Sequence, residues 1–306
     1  MVRGRALGAA GGFFADRVLG EPPLRPHPVS AFGSTMARLE RKVWRDDRLA
    51  GAFHVAAGSS LGLLAGWTLR GVLGAGLPST VAATYIASAG RGLRDAARRV
   101  AAALEAGDLD EARVLLPALV GRDPRDLDDK EVTRAVVESV AENTVDAVVA
   151  PLLWAACAGA PGALGYRAVN TMDSMIGRRS ARYRRYGWAG ARVDDAAAWI
   201  PARVTAAVVT VVRPRSAGAV WQAVRRDAPR HPSPNAGVAE AAFAAALGLR
   251  LGGENRYGDR VEIRPPLGNG RPPELGDIEE AVRLSSHVGT TVAVLLAVVG
   301  LTLRRR

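Results

Sequence analysis

Long apolar stretches, each on the scale of a bilayer, alternate in this chain with short blocks rich in arginine and acid. Leu49 to Gly90 reads LAGAFHVAAGSSLGLLAGWTLR, then GVLGAGLPSTVAATYIASAG. A helix needs about 20 residues to cross a hydrocarbon core, so this region has length for two crossings, joined near Arg70 and Gly71. Its many Gly, Ala and Ser residues permit close helix contact in lipid, and His54 falls near one end of the first crossing. Val145 to Gly165 is a third apolar stretch, which either spans with Pro151 as a kink or dips in and returns. Trp199 to Val212 rises only about 21 Å as a helix and carries Arg203, so it is expected as a buried helix or partial span. HVGTTVAVLLAVVGLTLRRR closes the chain as a terminal span. The pattern predicts an all-α polytopic membrane protein with about four to five transmembrane helices. One membrane-embedded domain, residues 1–306, is expected, with polar segments 91–144, 166–195 and 213–285 between the apolar stretches.

Composition sharpens this. Apolar residues are 48% of the chain and charged residues 23%, and the charges are clustered where a soluble fold would interleave them along amphipathic elements. The formal charge of +11 comes mostly from arginine. Neither zinc-finger spacing nor an RNA-binding aromatic signature accompanies it, so no nucleic acid is expected as a partner. Basic blocks beside apolar spans suit a cytoplasmic membrane face and attract acidic substrates. Tyr166 to Asp195 and Arg213 to Arg230 share this excess, which a full crossing at Trp199 to Val212 would separate. Cys157 is alone, which excludes an intrachain disulfide, and its apolar surroundings suggest a small buried hydrophobe. The N-terminal segment is expected to stay, because polar text follows it at once.

Between the spans, RGLRDAARRVAAALEAG is an amphipathic helix with a turn at Gly107-Asp108, and Asp128 or Asp129 is a plausible cap for the next helix. RVEIRPP is the one strand-like phrase.

Four polar phrases are too concentrated for generic loops: DRVLGEPPLRPHPVSAFG, ESVAENTVDAVVAP, YRAVNTMDSMIGRRSARYRRYGWAGARVDDAAAWIPAR and HPSPNAGVAEAAFAAALG. On a helix, Glu138, Glu142 and Asp146 stand four apart on one face, with Asn143 beside it. Stacked like charges call for magnesium or arginine; alternatively one pairs with Arg134 while others are solvated. Asp194 is a metal or hydrogen-bonding candidate or a helix cap. Arg178, Arg179, Arg182, Arg184 and Arg185 suit phosphates or a membrane surface. His27, between two prolines, is a proton-transfer candidate or a structural turn residue. Asn235 and Gly237 suggest a tight backbone presenting amides to an anion. Tyr183, Tyr186, Trp188 and Trp199 are either a surface for a large ligand or interface anchors.

Together, from Asp16 to Tyr257, these phrases resemble the adenosylcobinamide-phosphate synthase family, which attaches aminopropanol or its O-phosphate to adenosylcobyric acid. The resemblance implies a multi-pass cell-membrane ligase that uses ATP and Mg2+ with a corrinoid substrate, alongside other cobalamin-pathway enzymes. An amide does not form readily from a carboxylate, so activation by phosphorylation is expected; GxxxxGK[ST] is absent, so a P-loop is not used. On this reading Glu142, Asp146, His27 and Asp173 are catalytic candidates. Asp16, Asn143, Asn170, Arg178, Arg179, Arg203, Asn235 and Gly237 are candidates for binding cofactor. Glu138, Glu142, Asp146, Asp194 and Asp195 are candidates for metal. The rival readings are a corrinoid or anion transporter or scaffold, and a peripheral soluble enzyme.

Overall fold

Short polar residues ahead of apolar runs set where the helices begin. Asp47 Oδ2 accepts from the Leu49 and Ala50 amides at 3.1 and 3.2 Å, and Asp128 with Glu131 closes a reciprocal capping box. A computed structural model describes residues 2–121, 123–177, 180–257 and 260–303, with backbone alone at 255–257, 260 and 261. In chain order its helices are α1 (Val2–Leu19), α2 (Pro28–Val43), α3 (Arg48–Leu73), α4 (Leu77–Ala87), α5 (Gly90–Glu105), α6 (Leu109–Leu115) and α7 (Asp129–Thr144). Then follow α8 (Ala150–Ala158), α9 (Ala160–Ile176), α10 (Trp188–Ala197), α11 (Trp199–Val212), α12 (Ala217–Arg226), α13 (Ala236–Leu247) and α14 (Gly276–Thr302). An antiparallel hairpin, β1 (Leu251–Tyr257) with β2 (Arg260–Leu267), lies between α13 and α14. Only β2 is foreshadowed by strand-like text; β1, LGGENRY, has no alternating pattern and is a strand because β2 pairs with it.

The fold is all-α apart from that hairpin. Among the described residues, three helical runs are long and apolar enough to cross a membrane: α3, Asp129–Ala158 and α14. The pair α10 and α11, bent by 43°, makes a fourth if it is one broken span. The expected second crossing after Arg70 is not long enough. Gly74 and Gly76, both with positive φ, turn the chain, and α4 has 11 residues, about 16 Å of rise. Pro151 does not end the run it interrupts. The missing N–H and the ring of proline disturb the turn before it, and that turn, Val145–Val149, is π-helical. Cys157, expected buried, is exposed on α8.

The chain forms two compact units. The first comprises residues 1–89, 146–198 and 292–306, and its centre is α3 against α9. Gly58, Gly62 and Gly66 recur every four residues on α3 and remove the side chains that would separate the two backbones. A Cβ on Gly62 would stand 2.4 Å from Ala168 Cβ, and one on Gly66 2.4 Å from Pro161 Cα. At the start of α3, Met36, Val55, Met172, Ile176 and Tyr186 form the apolar core. His54 is fully buried there, with Nε2 against the Met36 carbonyl at 3.0 Å, while its Nδ1 is buried with no hydrogen-bond partner among the described residues. Glu40 accepts from Arg182 Nη2 and Tyr183 Oη, both at 2.9 Å, and the guanidinium lies over the Trp44 ring.

The second unit comprises residues 90–145 and 199–291. α13, rich in alanine, packs among α7, α11 and α12. α5 turns two of its four arginines toward α14: Arg98 grips Glu279 through two bonds of 2.9 and 2.8 Å, and Arg94 donates to Ser286. Thr144 and Ser285 hydroxyls pair at 2.7 Å.

Gly62→Val forces a branched side chain into the α3–α9 seam, where overpacking costs about 1–3 kcal/mol; a lower melting temperature in detergent is expected. Gly71→Ala, where a Cβ meets nothing within 4 Å, should leave it unchanged or raise it.

Candidate functional site

In the first unit, three polar segments converge. α9 carries Tyr166, Arg167, Asn170 and Asp173 within a run of small and apolar residues; α10 brings Asp194 and Asp195; the π turn brings Asp146. Tyr166 Oη donates to Asp146 Oδ1, Arg167 Nη1 to Asn170 Oδ1, and Asn170 Nδ2 to Asp194 Oδ1, each at 3.4 Å. These bonds are long, as in sites that tighten only around substrate. Asp146, Asp173 and Asp195 lie within electrostatic range of Asp194, while Asp146 and Glu21 lie within range of the Arg167 guanidinium. Several carboxylates gathered round one guanidinium, beside a neutral amide, form a site that favours a cation and orients an anion beside it.

The second unit holds a separate polar group. Glu138, nearly fully buried, accepts from the Gly252 N–H at 2.9 Å and lies 3.9 Å from Arg134 Nε. Gly252 and Gly253, with φ of 87° and 109°, make the bulge that aims this N–H at Glu138 while Arg134 Nη1 takes the Gly252 carbonyl. Glu240, with no exposed surface, is 3.8 Å from His231 Nε2 and 3.7 Å from Arg264 Nη1. Burial first, then the Arg264 charge, push the His231 pKa below its ordinary value, so the ring is neutral at pH 7. The tautomer protonated at Nδ1 fits both sides: Nδ1–H donates to the Ser233 carbonyl at 3.1 Å, and Nε2 accepts from Arg264 Nη1 at 3.2 Å.

Of the residues singled out from sequence, Asp146, Asn170, Asp173, Asp194 and Asp195 come together in the first unit. Asp194 lies within α10 and does not cap a helix. Asp173 folds over the end of α9, where a Cβ on Gly177 would strike its Oδ1. Asp16 is buried in α1. His27 caps α2: its Nδ1 accepts from the Val29 N–H at 3.3 Å, the structural alternative for that ring. Glu138 and Glu142 follow the blander option for the stacked carboxylates, one beside Arg134 and the other exposed. Asn143 donates to the Ser139 carbonyl and hydroxyl. Arg203 and Asn235 bond each other at 2.8 Å, with the guanidinium over Trp199.

Two expectations change. The amides of SPNAG are taken up by Ser233, whose Oγ accepts from Asn235 and Ala236 and whose carbonyl accepts from Gly237. Gly237 is required for closeness, since a Cβ there would be 2.5 Å from His231 Cβ. Tyr186 has no exposed surface and belongs to the core, its hydroxyl pushed up to about 12 by burial, so it offers no face to a large ligand. Trp188 and Trp199 are exposed. Arg178, Arg179 and the side chains of Asn255 and Tyr257 lie outside the described residues.

Comparison with known proteins adds what geometry alone does not. A family model described as "CobD/Cbib protein" matches residues 9–285. The chain belongs to the CobD/Cbib family. A Mycobacterium tuberculosis protein named "Cobalamin biosynthesis protein CobD" is 50% identical over 308 residues, covering 99% of this chain and 97% of its own length. Proteins of the same name from Geobacter metallireducens and Halalkalibacterium halodurans are 42% and 36% identical, covering 84% and 98% of this chain and 85% and 98% of their own lengths. No solved structure matches.

Within this CobD/Cbib chain, the sequence did not pick out Arg167, and it offered Glu240 as a helix cap or polar site residue without joining it to His231 and Arg264. Arg167 stands between apolar residues of α9, a place where an arginine is costly without carboxylates nearby. That isolation was the available signal. Glu240 gave a comparable one, an acid within an alanine run, but its partners are distant in sequence.

A histidine whose folded pKa is depressed stabilises the fold above its unfolded pKa, near 6.5, and that stability is lost as pH falls toward the folded value. Thermal unfolding should therefore show stability declining below about pH 6.5. His231→Asn, which cannot titrate, should reduce that slope.

Proposed function

We propose that this chain acts in cobalamin biosynthesis, joining adenosylcobyric acid to (R)-1-amino-2-propanol or its O-phosphate by ATP-dependent amide formation, as a multi-pass protein of the cell membrane. The observation that carries this reading is the match of residues 9–285 to the CobD/Cbib family, with relatives named for cobalamin biosynthesis aligned over nearly their full lengths. Three helices long and apolar enough to cross a bilayer support the membrane assignment.

The acid group needs a leaving group before an amine can displace anything from it. Phosphoryl transfer from ATP turns the corrinoid carboxylate into an acyl phosphate and releases ADP. The amine then attacks the carbonyl carbon, phosphate departs, and the nitrogen loses a proton. We assign that proton to Asp146, with the Tyr166 hydroxyl 3.4 Å away holding the carboxylate in place. Arg167 and Asn170 orient phosphate oxygens, and Asp173 supports the end of α9. Among the described residues no three Asp, Glu, His or Cys side chains form a metal cage. Magnesium on a nucleotide needs none, being held by one or two carboxylates together with phosphate oxygens. Asp194, with Asp195 in electrostatic range, fits that role, which leaves the proton to Asp146. Bound there, magnesium would offset charge on the transferring phosphoryl group.

The test supplies purified protein with adenosylcobyric acid, ATP–magnesium and either amine donor, and follows product by mass. The donor that yields product settles which form is used. Asp146→Asn and Asp194→Asn should lower turnover about 100-fold or more while the protein still inserts and folds. Normal turnover in both variants would refute their roles. Corrinoid movement across vesicles without ATP consumption would favour a transporter instead.

A further inference from the structure

Away from these polar groups, one recess in the first unit gathers positive charge that no carboxylate offsets. Arg5, Arg70, Gly76, Ser79, Thr80 and Gly159 line it, and no acidic side chain does. α4 and α9 both begin there, behind Gly76 and Gly159, and neither has a side-chain cap for its first amides. Those N–H groups carry the partial positive charge of a helix start. Arg5 Nη1 donates to the Cys157 carbonyl at 2.8 Å, and Arg70 stacks on Trp67 at 4.8 Å. A guanidinium has five N–H donors, and among the described residues neither arginine forms an ion pair. Thr80 spends its hydroxyl on the Gly76 carbonyl, whereas Ser79, 1% exposed, lines the recess with no side-chain hydrogen bond among the described residues. That hydroxyl borders the space the two arginines enclose, where it can donate to an anion.

Size and setting narrow the ligand. The enclosed space is about 10 Å³, room for little more than one water-sized group, so the oxygens of a small anion can reach into it and a nucleotide or corrin cannot. Arg70 stands 19 residues beyond Gly51, which packs on Tyr186, or roughly 28 Å along α3. Trp67, Leu73 and Leu77 are exposed beside it, the mix of tryptophan, arginine and aliphatic surface found at a membrane–water interface.

We propose that this recess binds a phosphate group between Arg5, Arg70 and the starts of α4 and α9, and that its source is the head group of an anionic phospholipid. The site does not depend on the proposed reaction. Delipidated full-length protein in neutral detergent would be titrated with dilauroyl phosphatidylglycerol, a galactosyl diacylglycerol or inorganic phosphate, reading melting temperature and mass-resolved adducts. Phosphatidylglycerol should bind saturably and raise the melting temperature, and the galactolipid should not. Arg70→Gln, which removes only the stacking contact on Trp67, should weaken that binding about tenfold, and Arg70→Lys should retain part of it. Arg5→Gln should weaken binding similarly; because Arg5 also caps α8, Arg70→Gln decides the case if that variant does not fold. Protection by inorganic phosphate alone, lost in Arg70→Gln, would uphold the phosphate site and overturn the lipid source. Equal protection by the galactolipid, or phosphatidylglycerol binding that Arg70→Gln leaves unchanged, would overturn the proposal.

Discussion

Close approach of α3 and α9 through Gly58, Gly62 and Gly66 sets the geometry of the first unit. In lipid, apolar burial gives little net drive for one helix to meet another, so van der Waals contact between near-touching backbones does most of the work. The seam runs from Pro161 to Met172 along α9, so it fixes the rotation of that helix. Tyr166, Arg167, Asn170 and Asp173 are then carried together toward α10 and the π turn.

Buried polarity is tolerated in both units because it is shared. A carboxylate or guanidinium in low dielectric must find opposite charge or hydrogen bonds. In the first unit the acids of α10 and the π turn gather about Arg167 and Asn170. In the second, Glu138 uses a backbone N–H and Arg134, and Glu240 lies beside His231 and Arg264. The arrangements differ in character. The second joins a short bond at the glycine bulge, 2.9 Å from the Gly252 N–H to Glu138, to ion pairs of 3.7–3.9 Å. The first is linked by long hydrogen bonds and has an excess of acid, as expected of a place that receives a cation and a substrate.

Irregular backbone accompanies the first cluster. Pro151 disturbs the preceding turn, and the π turn at Val145–Val149 absorbs the disturbance while carrying Asp146. Such turns insert an extra residue and alter the direction of the side chains around them. Asp146 thus meets Tyr166, while Glu142, four residues earlier, is exposed.

Much of this was written locally in the sequence. Apolar length determined that helices cross a bilayer, and Asp47 and the Asp128–Glu131 pair determined where two of them start, because capping is an interaction between near neighbours. Membership of the CobD/Cbib family was equally legible, since motifs in order survive without coordinates. Tertiary structure decided the rest. It made α4 too short to span, gave β1 a partner, set His27 to capping α2, placed Tyr186 in the core, and brought Arg167, Asn170 and Asp194 together from separate helices. Those outcomes depend on how far backbones approach and which faces meet, quantities set by contacts between residues remote in the chain.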